Sequence, residues 1–147
     1  MKIDKVNISI IRHLSDGRKS FKKIAEDLGI TENTVRSRVN RMMEEGFLDI
    51  SGRIDADKFP DHQSVLVGVK LNTAHLVDKA TEFINLRGVV SVTVVTGRYD
   101  LFLTVLLKKG FGLLEFLSKE IDKVDGIQSV ETFVVYKGFN RLVPYVL

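Results

Sequence analysis

The chain has 147 residues, a formal net charge of +3 at neutral pH and 44% hydrophobic side chains. That apolar fraction is enough for a packed core, and no run of about 18 uncharged apolar residues marks a membrane span. The absence of cysteine excludes disulfides and thiolate chemistry. The charged N-terminal segment lacks the apolar block of a signal peptide. We therefore expect a cytoplasmic protein of one or two domains that does not interact with membranes.

The first predicted element is a helix that begins after Asp4 and runs to about Ser15. Aspartate is a preferred capping residue at helix N-termini. The Asp16-Gly17 pair that follows is a turn signal. Apolar side chains recur at helical spacing and predict the buried face of this helix: Val6, Ile10, Ile11 and Leu14.

Two further short helices, joined by a tight turn, are predicted between Phe21 and Gly46. Ser20 can cap the first of them, and Gly29 can take the positive φ that ends it. Thr31 can cap the second helix, whose apolar residues again recur at helical spacing. The pattern is that of a helix-turn-helix.

The outward face of the second of these helices carries the residue types that read DNA. Arginines contact phosphates and guanine edges, while amides and hydroxyls contact other base edges. From Arg18 to Arg41 there are seven Lys or Arg against three acids, so positive charge is concentrated where phosphates would lie. The predicted contacts to double-stranded DNA are Lys22, Thr31, Asn33, Thr34, Arg36, Ser37, Arg38, Asn40 and Arg41. Among these, Lys22, Arg38 and Arg41 are predicted phosphate contacts, although Arg38 could also pack partly inward.

A short hairpin is predicted over residues 47–55, around Ser51-Gly52. Three helices and this hairpin make a winged helix-turn-helix domain over residues 1–54. Arg53 on the hairpin could contact the DNA backbone or be a solvated turn arginine. The polar residues 55–63, which include Pro60, are predicted to be an interdomain linker.

Over residues 64–147 the sequence pattern changes from helical spacing to runs of β-branched residues. The predicted elements follow in the order β-α-β-β-α-β, which is that of a ferredoxin-like domain. The fold class is therefore α+β, with an N-terminal winged helix-turn-helix followed by a C-terminal ferredoxin-like domain. The predicted strands are Ser64–Leu71, Val89–Thr96, Leu101–Leu107 and Val130–Tyr136, and the predicted helices are Ala74–Leu86, capped by Thr73, and Leu113–Val124. The inward residues predicted for the first of these helices are Leu76, Ala80, Phe83 and Ile84.

An internal echo supports two related halves in this domain. The runs that begin at Gly88 and at Gly126 share a glycine, an aliphatic residue, a serine and a valine at matching places, 38 positions apart. Each run lies where a predicted helix leads into a strand.

The predicted strands are apolar on both faces. In the third strand, Leu101 and Leu103 lie on one face while Phe102 and Leu106 lie on the other. Two helices cover only one face of a four-stranded sheet, and soluble monomers avoid a large wet apolar face. We therefore expect the second face to pack against another subunit in a homodimer.

Five segments of the chain carry a family resemblance: Ile24–Thr31, Thr34–Val39 and Glu44–Leu48 in the first half, and Thr96–Leu101 and Gly126–Thr132 in the second. With them the chain resembles the leucine-responsive, or feast/famine, family of transcription regulators (Lrp/AsnC family) over nearly its whole length. The resemblance implies a regulator that dimerises through its C-terminal domains and assembles further, to tetramers or octamers. It also implies a small-molecule effector, usually an amino acid, bound between C-terminal domains of neighbouring dimers.

The turn Gly97, Arg98, Tyr99 and Asp100 matches a segment that lines this effector site in the family. Gly97 permits a tight connection, Tyr99 offers an aromatic wall and Asp100 could receive an ammonium group. The alternative is that Asp100 only satisfies turn amides while Tyr99 packs under the loop. The residues leave both interpretations open.

Other chemistry has little support from the sequence. His13, His62 and His75 do not have metal-ligand spacing, and no phosphate-binding loop or nucleophile elbow occurs. We expect no metal, no cofactor and no enzyme activity. The alternative is a haem-pathway decarboxylase of similar architecture that has lost DNA binding, which the intact arginines of the recognition helix disfavour. An RNA-binding domain would need aromatic side chains where Leu103 and Val105 stand.

Overall fold

The computed structural model describes residues 2–147, which form two compact units, one ending at Ser51 and the other running from Gly52 to Leu147. The first unit consists of three helices: α1 (Lys5–Leu14), α2 (Phe21–Leu28) and α3 (Glu32–Glu44). One apolar core joins them, made of Ile10, Ile24, Ala25, Val35, Val39 and Met42. The predicted helix-turn-helix is confirmed.

Side-chain caps set the geometry of the α2–α3 turn. The Ser20 hydroxyl accepts a hydrogen bond from the Lys23 amide at 3.2 Å, and the Thr31 hydroxyl accepts one from the Thr34 amide at 3.1 Å. Between the two helices Gly29 has a φ of 64°, which is the left-handed conformation that glycine adopts without strain. Local residue choice therefore determines where α2 ends and α3 begins.

The second unit contains β1 (Arg53–Asp55), β2 (His62–Leu71), α4 (Leu76–Ile84), β3 (Val89–Val94), β4 (Leu101–Lys108), α5 (Leu113–Glu115), β5 (Ile127–Val134) and β6 (Leu142–Pro144). After α5 the chain continues through a π-helical turn, Phe116–Glu120, and a 3₁₀ turn, Ile121–Lys123. β3, β4, β2 and β5 form an antiparallel sheet in that order. The predicted α+β domain with a four-stranded sheet is confirmed.

The helices of the second unit cover one face of this sheet. Phe83 from α4 and Phe116 are fully buried against it. The strand residues in this core alternate along β2 and β4, as expected for one face of a pleated sheet: Val65, Val67, Val69, Leu71, Leu101, Leu103, Val105 and Leu107.

Helix α4 differs from its prediction at both ends. It begins at Leu76, and the predicted cap Thr73 instead accepts a hydrogen bond from the His75 amide, before the first turn. Ile84 was expected to be buried but is 42% exposed, because it is the last residue of the helix. Phe83 and the following Leu86 fill the core at this end.

The hairpin predicted over residues 47–55 is wrong. Residues 47–52 form no strand, and β1 pairs instead with β6, with Ile54 opposite Val143. Ile54 thereby packs with Val143 and the fully buried Leu106, a burial that a local hairpin around Ser51-Gly52 would not provide. The Arg53 guanidinium donates to the Leu142 carbonyl. Residues 56–58 form a 3₁₀ turn, so part of the predicted linker is regular structure.

Among residues 2–147 no helix combines the length and apolar character needed to cross a membrane. The same residues contain no group of three or more His, Cys, Asp or Glu side chains arranged to hold a metal ion.

Candidate functional site

The outward face of α3 gathers polar side chains on one side of the helix. Positions 33, 36 and 37, and 40 and 41 follow one another at steps of three or four residues, which places them above one another on a helix. The opposite side is buried in the core of the first unit. Five of the residues predicted to contact DNA lie on this exposed face, and they are Asn33, Arg36, Ser37, Asn40 and Arg41. Lys22, on α2, is also exposed.

Two arginines of this face are held by acids four residues away, one in α3 and one at its C-cap. The Arg36 Nη2 lies 2.8 Å from the Glu32 Oε1, and the Arg41 Nε lies 2.9 Å from the Glu45 Oε1. Arg36 also lies over the Phe21 ring, 5.4 Å from its centroid. Exposed ion pairs of this spacing contribute only about 0.3–0.5 kcal/mol. Either guanidinium can therefore exchange its acid for a phosphate or base edge at little cost.

The two threonines at the start of α3 bond to each other. Their hydroxyl oxygens are 2.8 Å apart, and the Thr31 hydroxyl also accepts the Thr34 amide. Thr31 therefore acts in the structure as the N-cap of the recognition helix. A DNA contact by Thr31 or Thr34 stays a prediction.

Arg38 lies apart from the outward face. Its Nη1 donates to the Asp4 Oδ2 at 2.7 Å and to the Asn7 Oδ1 at 2.8 Å, both at the start of α1. The Arg38 guanidinium and the backbone N–H of Asn7 lower the pKa of Asp4. The sequence did not identify Asp4 and Asn7 as partners, because they are 34 and 31 positions away. The available signal was helical spacing, because Arg38 is three residues after the buried Val35 and four before the buried Met42.

The Gly97–Asp100 turn connects β3 to β4, and its carboxylate is already engaged. The Asp100 Oδ1 accepts the Lys70 ammonium at 2.7 Å, and its Oδ2 accepts the Leu71 amide at 2.8 Å. These two donors, Lys70 first, lower the pKa of Asp100. Asp100 thus receives an ammonium group from its own chain, which any effector ammonium would have to replace. Gly97 has a φ of 122° and so accommodates the tight turn.

Tyr99 packs flat on the sheet beside the turn. A Cβ on Gly68 would lie 2.8 Å from the Tyr99 ring, so only glycine there allows this packing. The Tyr99 hydroxyl donates to the Glu131 Oε2, and this hydrogen bond raises the pKa of Tyr99. Arg98 lies 3.0 Å from the same carboxylate oxygen while its side chain is 78% exposed. The turn therefore presents an exposed guanidinium next to a carboxylate.

The second face of the sheet is only partly open. At one end Ala56 and Val143, from the β1–β6 region, bury Leu106. At the other end Tyr99, Phe102 and Phe133 form an aromatic group with centroids 5.1 to 6.0 Å apart, and Phe133 remains 36% exposed. The two helices cover only the first face, as expected, but the Leu106 end of the second face is covered by the chain itself and not left for another subunit.

Comparison with known proteins adds two family models and several relatives. The AsnC-type helix-turn-helix domain matches residues 3–43, and the Lrp/AsnC ligand binding domain matches residues 64–142. An uncharacterized HTH-type transcriptional regulator of Pyrococcus horikoshii is 30% identical over 137 residues, which are 92% of this chain and 87% of the relative.

Two solved structures are similar over most of their length. Escherichia coli AsnC is 25% identical with a TM-score of 0.67, and the similarity covers 94% of this chain and 95% of AsnC. A feast or famine regulatory protein of M. tuberculosis, complexed with L-methionine, has a TM-score of 0.74 at 20% identity. That similarity covers 99% of this chain and 100% of the other, and at this identity it supports the fold alone.

Proposed function

This chain belongs to the Lrp/AsnC family and is a DNA-binding transcription regulator, and from that premise we propose that α3 reads its operator in the major groove. The observation that carries the proposal is the exposed polar face of α3, opposite a fully buried face. Asn33, Arg36, Ser37 and Asn40 are the proposed base readers, since amide and guanidinium groups form the bidentate contacts that distinguish base pairs.

Lys22 and Arg41 are the proposed phosphate contacts. Both are exposed, and phosphate contacts position a protein on DNA without reading its sequence. In a dimer, two recognition helices would enter successive major grooves about one helical turn apart. The operator should then be an inverted repeat.

Selection of DNA from a random-sequence library tests this proposal directly. We expect the chain to enrich fragments with an inverted repeat whose half-sites are about one helical turn apart. Binding to the enriched fragment should weaken steeply with salt, as counterion release requires. If no sequence is enriched and no DNA is bound at low salt, the proposed reading of an operator fails.

The open part of the second sheet face supports a homodimer. Phe102 and Phe133 lie there beside the half-buried Leu66, and a second copy of the face would cover all three. An isologous contact places the same apolar patch on both subunits and closes after two chains. Assembly beyond the dimer would use other surfaces.

The proposed effector is an amino acid bound at the Gly97–Asp100 turn. A zwitterion needs a cation for its carboxylate and an anion for its ammonium, and Arg98 and Glu131 present this pair 3.0 Å apart. The related M. tuberculosis protein was solved with L-methionine, which makes a free amino acid the first class to test.

Light scattering and a DNA-binding titration, each with and without each of the twenty amino acids, test dimer and effector together. We expect a dimer at micromolar concentration and a change of mass or DNA affinity with at least one amino acid. Arg98→Ala should keep the dimer but lose the response, because the carboxylate contact is removed. A monomer contradicts the proposed sheet contact, whereas indifference to all twenty amino acids contradicts the effector.

The decarboxylase alternative is not favoured. The helix-turn-helix model matches the first unit, and the curated relatives are transcriptional regulators.

A further inference from the structure

Arg38 lies at an angle on α3 that directs it away from the outward face. Successive residues of an α-helix are about 100° apart, so Arg38 is about 60° from the buried Val35 and on the same side as Met42. Its side chain is 33% exposed, whereas those of Arg36 and Arg41 are 55% and 63% exposed. Arg38 therefore lies on the flank of the core-facing side.

The Arg38 guanidinium joins α3 to the first turn of α1. A single nitrogen, Nη1, donates to the Asp4 Oδ2 at 2.7 Å and to the Asn7 Oδ1 at 2.8 Å. Asn7 is 1% exposed, so its side chain is fixed by packing. Asp4 is fixed as well, because it is the N-cap of α1 and its other oxygen accepts a hydrogen bond from the backbone N–H of Asn7.

This arrangement differs from the ion pairs of the other two arginines of α3. Arg36 bonds Glu32, one turn earlier in α3, and Arg41 bonds Glu45, the residue that caps its C-terminus, so neither pair joins α3 to another helix. Arg38 bonds two residues of a different helix, and both belong to a rigid helix start. Charge-assisted hydrogen bonds of this kind add geometric specificity as well as energy.

We propose that Arg38 is a positioning residue for DNA recognition. It holds α3 in one rotation against α1, and this rotation determines where Asn33, Ser37 and Asn40 point. The alternative role is the phosphate contact expected from its charge, in which Arg38 would leave Asp4 on binding. The proposal rests on the DNA-reading role of α3, and the two roles predict opposite effects of changing Asp4.

The first test is the substitution Asp4→Asn, which keeps the α1 cap because asparagine is an equally good N-cap residue. The amide nitrogen that replaces Oδ2 cannot accept from Arg38, so the ion pair between α1 and α3 is lost and only the Arg38 bond to the Asn7 Oδ1 remains. The substitution also removes a negative charge, which by electrostatics alone would strengthen binding to every DNA sequence.

We expect Asp4→Asn to weaken binding to the selected fragment at least about fivefold, comparable to one mismatched base pair, while binding to unrelated DNA does not weaken. If Arg38 were a phosphate contact, its release from Asp4 would instead tighten binding to both. Equal or tighter binding of the selected fragment by the Asp4→Asn chain overturns the proposal.

The second test, Arg38→Met, does not depend on the stability of the Asp4 variant. Removing one phosphate contact lowers the slope of log affinity against log salt by about 0.9. A positioning residue should leave this slope on unrelated DNA unchanged while the preference for the selected fragment falls. Lys109→Met is the control, since it removes one exposed positive charge from the other unit.

A slope that falls by about 0.9 on both DNAs overturns the proposal. If the unchanged chain selects no DNA, the operator reading proposed above fails instead, so the two failures are distinguishable. Thermal unfolding of each variant, measured by circular dichroism, shows that binding is compared between folded proteins. A merely structural role would lower the unfolding temperature without changing the ratio of specific to non-specific affinity.

Discussion

Replacing Gly88 by alanine should lower the free energy of unfolding of the second unit by about 2–5 kcal/mol. Gly88 has a φ of 83°, which L-residues adopt only with strain. An alanine Cβ would lie 2.8 Å from the Leu106 carbonyl oxygen and 2.8 Å from the Phe111 ring. The carbonyl belongs to a central strand and cannot move without disturbing the sheet, so strain and overlap add.

Gly126→Ala is the matched control for this substitution. Gly126 occupies the equivalent place in the internal echo and has a φ of 79°, but the nearest atom to its added Cβ would be the Lys79 Cε, 4.0 Å away. Only the backbone strain remains, about 1–2 kcal/mol.

Urea unfolding measured by tyrosine fluorescence would compare the two glycine variants. All three tyrosines lie in the second unit, and the chain has no tryptophan, so the signal comes from this unit alone. If the two variants unfold at the same urea concentration, the close contacts around Gly88 are not maintained in solution.

Arg36→Ala should weaken binding to the selected DNA by about 1–3 kcal/mol, roughly 5- to 150-fold, and relax base preference at one operator position. The exposed guanidinium is held by a surface ion pair with Glu32 and by its position over the Phe21 ring, both weak at an exposed site, so it is available to a guanine edge. The measurement is affinity for the selected fragment and for its single-base variants at fixed salt.

Glu32→Gln is the control for Arg36→Ala, because it breaks the same ion pair but keeps the guanidinium. It should not weaken DNA binding. An Arg36→Ala chain with unchanged affinity and unchanged base preference would remove Arg36 from the proposed readers.

Local signals in the sequence were enough to predict the first unit. Ser20 and Thr31 cap their helices and Gly29 ends one, and each of these effects acts within about four residues. The buried stripe of Val35, Val39 and Met42 then follows from helical periodicity alone. Runs of β-branched residues are also a local signal, and they predicted the strands of the sheet to within a few residues.

Long-range pairing explains what the sequence could not predict. The Ser51-Gly52 turn signal favoured a hairpin, but Ile54 gains more burial beside Val143 in β6, which local pattern does not reveal. The partners of Arg38 and Asp100 are about thirty positions away and depend on how helices and strands pack. Side chains that link distant elements were therefore the part of the candidate site that the sequence missed.

The pairing of β1 with β6 has a consequence for synthesis of the chain on the ribosome. The residues that bond across this ribbon, Arg53 and Leu142, are 89 positions apart. Translation adds about 5–20 residues per second, so β6 is synthesised roughly 4–18 s after β1. The helix-turn-helix unit, complete at Ser51, has emerged by then. The nascent chain therefore presents a finished DNA-reading unit while the unit that would join two subunits is still incomplete.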